Sequence, residues 1–412
     1  MNRWYTHSTD GQRETITYQP RSEERYWPPD VLQTDSLPAE GVTGRGVVLE
    51  GAGAQWMYMH GSAWAMRGGA SRVTVVQMPG RREIEIWPRR AGASGKEWFR
   101  QVELPSGRVI VWLADAPEGR WDEEILMDVQ GGLAGVQGKE VYVTGSGANW
   151  MYAGIVVGAL RGGAEALWYC SPRLSSDRAI DVANGRMEEM PEDVLGSLRL
   201  KTPGIVVGVV GDPCSGKSVF SRVLEKALKA MGKDTWVLDC DGMSLTSPWY
   251  LLAAGGAENK DAEVRRREQK VNWTDKLENH VANHLRNVRW FVELAVADLP
   301  GGIHKNEQDY HTRIPPHREV MMKEVDLFIV LSREGTTIEE GWRAELAQHG
   351  LEGRIVAVFE SAAPCGALRC RLRESERLVR GRMEGLDRKN IAGDIPVLPE
   401  LQSAWQSIEG LM

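Results

Sequence analysis

The sequence is poor in cysteine and phenylalanine, and it lacks any long apolar run. Its five cysteines (170, 214, 240, 365 and 370) are scattered over 412 residues and match no zinc-ligand spacing. That usage points to a reducing cytoplasm. No apolar stretch is long enough to span a bilayer, and Met1-Asn2-Arg3-Trp4-Tyr5 lacks the apolar core of a signal peptide. A cytoplasmic protein without a membrane partner is therefore expected. Positive charge is not in excess: 50 Lys and Arg stand against 57 Asp and Glu, a formal net charge of −7. This argues against general coating of duplex DNA, although local basic patches survive such a total. Five phenylalanines against sixteen tryptophans is an unusual ratio for which composition alone offers no reason. What remains, 42% hydrophobic and 26% charged, fits a soluble globular chain of two or three domains.

The most informative stretch runs from Ile205 to Ser218. A buried apolar strand, Ile205-Val206-Val207-Gly208-Val209-Val210, leads into Gly211-Asp212-Pro213-Cys214-Ser215-Gly216-Lys217-Ser218. The spacing G-x-x-x-x-G-K-S between a strand and a helix is a phosphate-binding loop. Gly211 and Gly216 allow successive backbone N–H groups, Ser215 among them, to turn toward a phosphate. The helix start adds its positive dipole. Lys217 is placed to reach β- and γ-phosphates, and the Ser218 hydroxyl to ligate Mg²⁺.

The following residues read as a doubly wound, mainly parallel sheet. Val219 to Met231 is helical, with Val219, Phe220, Val223, Leu224, Ala227 and Leu228 on one face, and Gly232 ends it. A strand over Thr235-Trp236-Val237-Leu238-Asp239 ends in Asp239-Cys240-Asp241-Gly242, beside the crevice where nucleotides bind. Asp241 is the candidate proton acceptor or metal carboxylate, Asp239 the alternate, and a turn-capping role is the bland alternative. Phe291 to Asp298 is an apolar strand ending in Asp298-Leu299-Pro300-Gly301-Gly302. Asp298 would hold Mg²⁺ through water, opposite Ser218, and the Gly301 N–H would come within reach of a γ-phosphate. Strands are expected over 326–332 and 354–359, giving five in all. The segment 303–318, with His304, His311 and His317, is long enough to be functional or disordered. The cluster Arg265-Arg266-Arg267 with Lys270 reads as a solvated helix face, with a phosphate-sensing arginine as the other reading. His280 and His284 share a helix face, but no third ligand follows, so a metal there is rejected. No N-K-x-D guanine signature follows the sheet, which favours ATP with Mg²⁺.

The first half repeats itself. Gly46 to Tyr58, containing Gly51-Ala52-Gly53-Ala54-Gln55-Trp56, recurs as Glu140 to Tyr152, containing Gly145-Ser146-Gly147-Ala148-Asn149-Trp150, 94 positions later. The same offset carries Arg67-Gly68-Gly69-Ala70 onto Arg161-Gly162-Gly163-Ala164. One ungapped offset over two blocks argues for duplication. Each copy reads as strand, glycine loop and helix, then a second strand over 72–77 or 166–170. A strand is expected at Glu14–Tyr18, and a hairpin over 98–113, turning at Pro105-Ser106-Gly107-Arg108, opens the second copy. The glycine loops either cradle a phosphodiester or are tight turns with Trp56 and Trp150 packed in the core.

The pattern resembles the third of the CRISPR-associated Csx families, the ring nucleases. Those proteins carry an apolar strand, a G-x-G-x-x-W turn and helix, then a strand ending in a Tyr-Asp-Pro-Arg-like turn. Copy two has Tyr169-Cys170-Ser171-Pro172-Arg173 there, and copy one has Gln77-Met78-Pro79-Gly80-Arg81. The resemblance covers roughly residues 10–185 as two copies. It implies a built-in pseudo-dimer, fused, as in some members, to an AAA-type P-loop domain. It also implies binding and cleavage of cyclic oligoadenylate, tetra-adenylate favoured, in type III CRISPR defence. Gly51, Gly53, Trp56, Arg67, Gly145, Gly147, Trp150 and Arg161 are the residues that would face that ring. The histidine of the family's nuclease site is missing from both copies. His60, on the first helix, is matched by Gly154 and reads as a structural or surface residue rather than a catalyst.

The expected organisation is a first repeat over 1–96, a second over 97–186, a linker over 187–203 and the P-loop domain over 204–412. The fold class is α/β: two tandem, Rossmann-like repeats, then the P-loop sheet. The expected activity is ATP hydrolysis coupled to the messenger site, in a homo-oligomer. A small-molecule kinase with the repeats as an assembly module, and a non-catalytic sensor, are the alternatives.

Overall fold

Two rows of β-branched residues fix the middle of the first 199 residues. In copy one, β1 (Tyr5–Asp10) and β2 (Arg13–Tyr18) form a hairpin, after which α1 (Val31–Thr34) leads to β3 (Gly46–Gly51). β3 lies parallel to β2; α2 (Gln55–Arg67) then crosses to β4 (Arg72–Gln77), parallel to β3, and β5 (Arg82–Trp87) turns back antiparallel. Copy two repeats the plan. Its hairpin is β6 (Phe99–Glu103) and β7 (Val109–Leu113), followed by β8 (Glu140–Gly145), α3 (Asn149–Arg161), β9 (Ala166–Tyr169) and β10 (Arg178–Asp181). The sheet orders are β1-β2-β3-β4-β5 and, with β11 (Met187–Glu189) added, β11-β10-β9-β8-β7-β6. The structure, a computed structural model, describes residues 4–19, 28–38, 42–51, 53–77, 81–114, 122–241, 250–251, 253–254, 259–268, 272–301, 304–305, 311–362, 366–373, 378–392, 395–410 and 412.

Both copies drain into one core. Trp4 and Trp98, and Trp56 and Trp150, each pair 94 positions apart, are all buried in it. Full burial of each side chain of this kind stabilises the fold by roughly 1.5–3 kcal/mol or more. β1 escapes the sequence pattern because its outward residues are Thr, His and Ser, with only Tyr5 buried. The stretch 187–203 is not an open linker. β11 pairs with β10, α4 (Glu192–Leu198) follows, and Asp193 meets Arg108 at 3.3 Å. The division between the two compact units falls at Arg199–Leu200.

The second unit is built on β12 (Ile205–Val210), whose residues from Val206 onward are buried, as a central parallel strand requires. α5 (Lys217–Ala230) buries the six apolar residues read from its spacing. β13 (Thr235–Asp239), α6 (Asn259–Glu268), α7 (Asp275–Val288) and β14 (Leu294–Asp298) follow. Then come the two-residue strands β15 (His304–Lys305) and β16 (His311–Thr312), α8 (Glu319–Lys323), β17 (Leu327–Arg333), α9 (Ile338–Gln348) and β18 (Ile355–Ser361). β19 (Arg369–Arg373), β20 (Val379–Glu384) and α10 (Pro399–Glu409) complete it. The sheet order is β13-β14-β12-β17-β18-β20-β19, seven strands rather than five. All pairs are parallel except β19 with β20. No described helix is long and apolar enough to cross a membrane.

Candidate functional site

The carboxyl ends of β12, β13 and β14 converge on the phosphate loop. Gly216 caps α5 with φ 90°, and Cys214 stands at φ 62°, so the loop uses the left-handed region twice. The Lys217 ammonium folds back and donates to the Gly211 carbonyl at 2.9 Å. Gly301 closes on the same two groups. A Cβ there would lie 2.2 Å from the Gly211 oxygen and 2.4 Å from Lys217 Nζ. On the other flank, a Cβ on Gly216 would meet Leu386 at 2.8 Å. The Ser215 hydroxyl is buried inside the loop, and among the described residues it has no hydrogen-bond partner.

Asp298 and Asp239 end β14 and β13 side by side in register. Asp298 is buried, and burial pushes its carboxyl above the usual carboxylate range. The Lys217 charge and a hydrogen bond from Ser218 oppose that rise, Asp241 adds to it, and Arg222 opposes it. Asp239 instead accepts from the Asp241 backbone N–H at 3.2 Å, the turn-capping role. The charge of Asp241 is felt by both Asp298 and Arg318. The hydroxyl of Ser218 and the carboxylates of Asp298 and Asp241 are hard oxygen donors, the set that suits Mg²⁺. Beyond Asp241, Arg318 is buried against Glu278 at 3.1 Å and lies 4.6 Å over the Trp273 ring. A cavity of about 280 Å³ opens on the opposite side of the loop, between Cys214–Gly216 and the ends of β17 and β18 at Glu334 and Ser361.

Sequence reasoning missed the contacts of Asp212. Its carboxylate is gripped by Arg313 through Nε at 2.9 Å and Nη2 at 3.1 Å, and by Trp342 Nε1 at 3.2 Å. The signal was present as a charged residue inside the loop and an arginine in the long segment 303–318. Their pairing over 101 positions was not legible. Of the other candidates, Arg266 lies over the Tyr250 ring at 4.8 Å, where Arg388 also stacks at 4.2 Å. His317 is exposed beside Asp275 at 3.7 Å. No metal-holding group of three His, Cys, Asp or Glu exists among the described residues. Gly242, Lys270, Gly302 and Cys365 lie outside the described residues, as do the side chains of Arg265, His304 and His311.

The paired glycine loops meet each other. Gln55 Nε2 donates to the Gly147 carbonyl at 3.0 Å, and Asn149 Nδ2 to the Gly53 carbonyl at 3.4 Å. These are equivalent bonds exchanged across a pseudo-twofold axis. The glycines answer to protein contacts first. Gly51 (φ 101°) and Gly145 (φ 111°) would each bring a Cβ to 2.3 Å from a carbonyl, of Tyr18 and Leu113 respectively. A Cβ on Gly53 or Gly147 would strike Tyr18 at 2.8 Å or Leu113 at 2.5 Å. Trp56 and Trp150 are core residues. Arg67 and Arg161 correct the expectation outright: they end α2 and α3, about 18 Å from the loops at 1.5 Å per residue. Arg161 instead lies over the Trp87 ring at 4.2 Å. The cations at the loop end are Arg81, paired with Glu50 at 2.6 Å, and Arg173, which acts on Tyr152. His60 is buried and bonded to the Val182 carbonyl at 2.7 Å, a structural role.

No family model matches the chain, and no curated protein matches it at a significant level. Among solved structures it is similar to the cell division protein FtsY of Thermotoga maritima, at 13% identity and a TM-score of 0.26, over 40% of this chain and 54% of that one. The signal recognition particle receptor FtsY of Elizabethkingia anophelis is similar at 14% identity and a TM-score of 0.23, over 39% and 51%. The chain thus spans about half the length of these structures.

Proposed function

We propose that the chain binds Mg²⁺–ATP at the Lys217 loop and hydrolyses it, and that the tandem repeats bind cyclic oligoadenylate in type III CRISPR defence. The observation that carries the nucleotide reading is the convergence of Lys217, Gly301, Ser218 and Asp298 at the ends of two adjacent parallel strands, β12 and β14. In this reading the loop N–H groups and Lys217 hold the β- and γ-phosphates, and Gly301 presents its N–H to the γ-phosphate. Ser218 and Asp298 hold Mg²⁺, which supplies charge stabilisation for the leaving phosphates. Asp241 orients the attacking group, and Arg318 is its charged neighbour. The nucleoside leaves the loop toward Glu334 and Ser361, away from Asp298, where the cavity lies. The absence of an N-K-x-D sequence supports adenine.

The messenger reading rests on the resemblance and on two loops of the same construction facing one axis. Arg81 and Arg173 supply the charge that a cyclic phosphodiester needs, in place of Arg67 and Arg161. With no family histidine, ring opening would rely on positioning the ribose 2′-hydroxyl, so turnover is slow. Incubation with cyclic tetra- and hexa-adenylate, with and without ATP, followed by chromatography, tests the whole reading. Retention of the tetra-adenylate ring by the protein and release of ADP support it. The absence of both ring binding and ADP release overturns it.

A further inference from the structure

Asp212 poses an electrostatic problem. A carboxylate placed inside a loop that collects polyphosphate repels its own ligand. It is buried, at 8% exposure, and its backbone carbonyl lies 3.5 Å from Lys217 Nζ. A buried charge of this kind acts through low-dielectric surroundings, so water screens it poorly. The countercharge comes from Arg313, through a two-pronged guanidinium contact at 2.9 and 3.1 Å.

Arg313 is itself held in place by α9. Glu345 accepts the Arg313 backbone N–H at 2.9 Å and the Thr312 hydroxyl at 2.8 Å. Gly341 leaves the guanidinium its seat, since a Cβ there would lie 2.4 Å from Arg313 Nη1. Asp212 thus takes the Arg313 guanidinium, while Glu345 holds the backbone that carries it. Gly301 and Arg313 both touch the loop, one at Gly211 and the other at Asp212, from the same stretch of chain.

We propose that the Asp212–Arg313 pair is an electrostatic latch that sets nucleotide affinity. With Arg313 seated, the loop wall is neutral and accepts polyphosphate. With Arg313 withdrawn, Asp212 repels it. The segment Thr312–Arg313 and helix α9 thereby control the phosphate site, and Arg313 is a positioning residue that need not touch the ligand. This inference rests on the nucleotide reading above.

The test is calorimetric titration of the full chain with Mg²⁺–ATP and with ADP, in wild type, Lys217→Ala, Arg313→Gln, Asp212→Asn and the double variant Asp212→Asn/Arg313→Gln. Arg313→Gln is expected to weaken ATP by roughly tenfold or more, and ADP by less, because repulsion grows with ligand charge. Asp212→Asn alone should bind ATP at least as tightly as wild type, and the double variant should recover to within about threefold. A scaffold role predicts the opposite sign for Asp212→Asn, because it too breaks the pair. Weakened ATP binding by Asp212→Asn, or a double variant as weak as Arg313→Gln, overturns the latch. Should Arg313→Gln not fold, Asp212→Asn and the neutral double variant still decide between the two. Wild-type protein that binds no ATP overturns the nucleotide reading instead, which keeps the two failures apart.

Discussion

A single methyl group at position 301 should disable the nucleotide site. In Gly301→Ala the new Cβ would stand 2.2 Å from the Gly211 carbonyl oxygen and 2.4 Å from Lys217 Nζ. The lysine arm can swing aside, but the carbonyl belongs to the backbone at the end of β12, so one of the two loops must shift. Overpacking of this kind costs about 1–3 kcal/mol of stability. Displacing the ammonium also removes a charge-assisted hydrogen bond to the ligand, worth about 1.5–3 kcal/mol. At ~1.4 kcal/mol per tenfold, Mg²⁺–ATP affinity should fall about 10- to 150-fold. The melting temperature should drop by about 2–4 °C per kcal/mol for a unit of this size. Gly353→Ala is the control, since a Cβ there meets nothing within 4 Å. Titration calorimetry reads affinity, and differential scanning calorimetry reads stability. If Gly301→Ala binds within about threefold of wild type, the placement of Gly301 against Lys217 is refuted.

Asp298→Asn should lose most ATP hydrolysis while gaining stability at neutral pH. The Asp298 carboxyl titrates above its unfolded value, so the native state takes up its proton first and stability falls as pH rises through that interval. Removing the charge removes that cost; a melting temperature at pH 7 below wild type would contradict it. His60 runs the other way. Burial holds it below the ordinary 6.5, so the unfolded chain binds the proton first and stability is lost as pH falls below about 6.5. A pH series of thermal melts should show this acid limb flattened in His60→Gln, and an unchanged limb would assign it elsewhere. Arg81→Ala with Arg173→Ala should weaken cyclic tetra-adenylate binding about tenfold or more, measured by fluorescence titration, and leave ATP binding intact. Equal ring affinity in the double variant would remove both arginines from the site.

The parts of this fold that were legible carry a strong local pattern. The run over 205–210 and the loop Gly211–Ser218 declare a strand, a turn and a helix within fourteen residues. The 94-residue offset was visible because both stretches carry the same glycines and tryptophans. β19 and β20 were not legible, because Arg369, Arg371, Arg373, Arg380 and Arg382 occupy one face and leave no apolar run. Their pairing puts Arg371 opposite Arg382 and Arg373 opposite Arg380, and Glu360, Glu339 and Glu334 from other elements pair with Arg373, Arg380 and Arg382. Arg67 and Arg161 were misplaced because an arginine after a helix looks adjacent to a loop in sequence, while thirteen helical residues separate the two ends. The Asp212–Arg313 contact joins residues 101 positions apart, and no periodicity connects them.

The most direct measurement of the central claim is a calorimetric titration of the full chain with ATP in the presence of Mg²⁺, run beside Lys217→Ala. Lys217 emerges at the first position of α5 with its ammonium half-buried on the Gly211 carbonyl, so its removal takes away the loop's own positive charge and leaves the strand–helix frame standing. The account predicts saturable binding by wild type, at least a roughly hundredfold loss in Lys217→Ala by analogy with removal of a desolvated charged contact, and an unchanged melting temperature within about 2 °C. Equal affinity in the two proteins would contradict it.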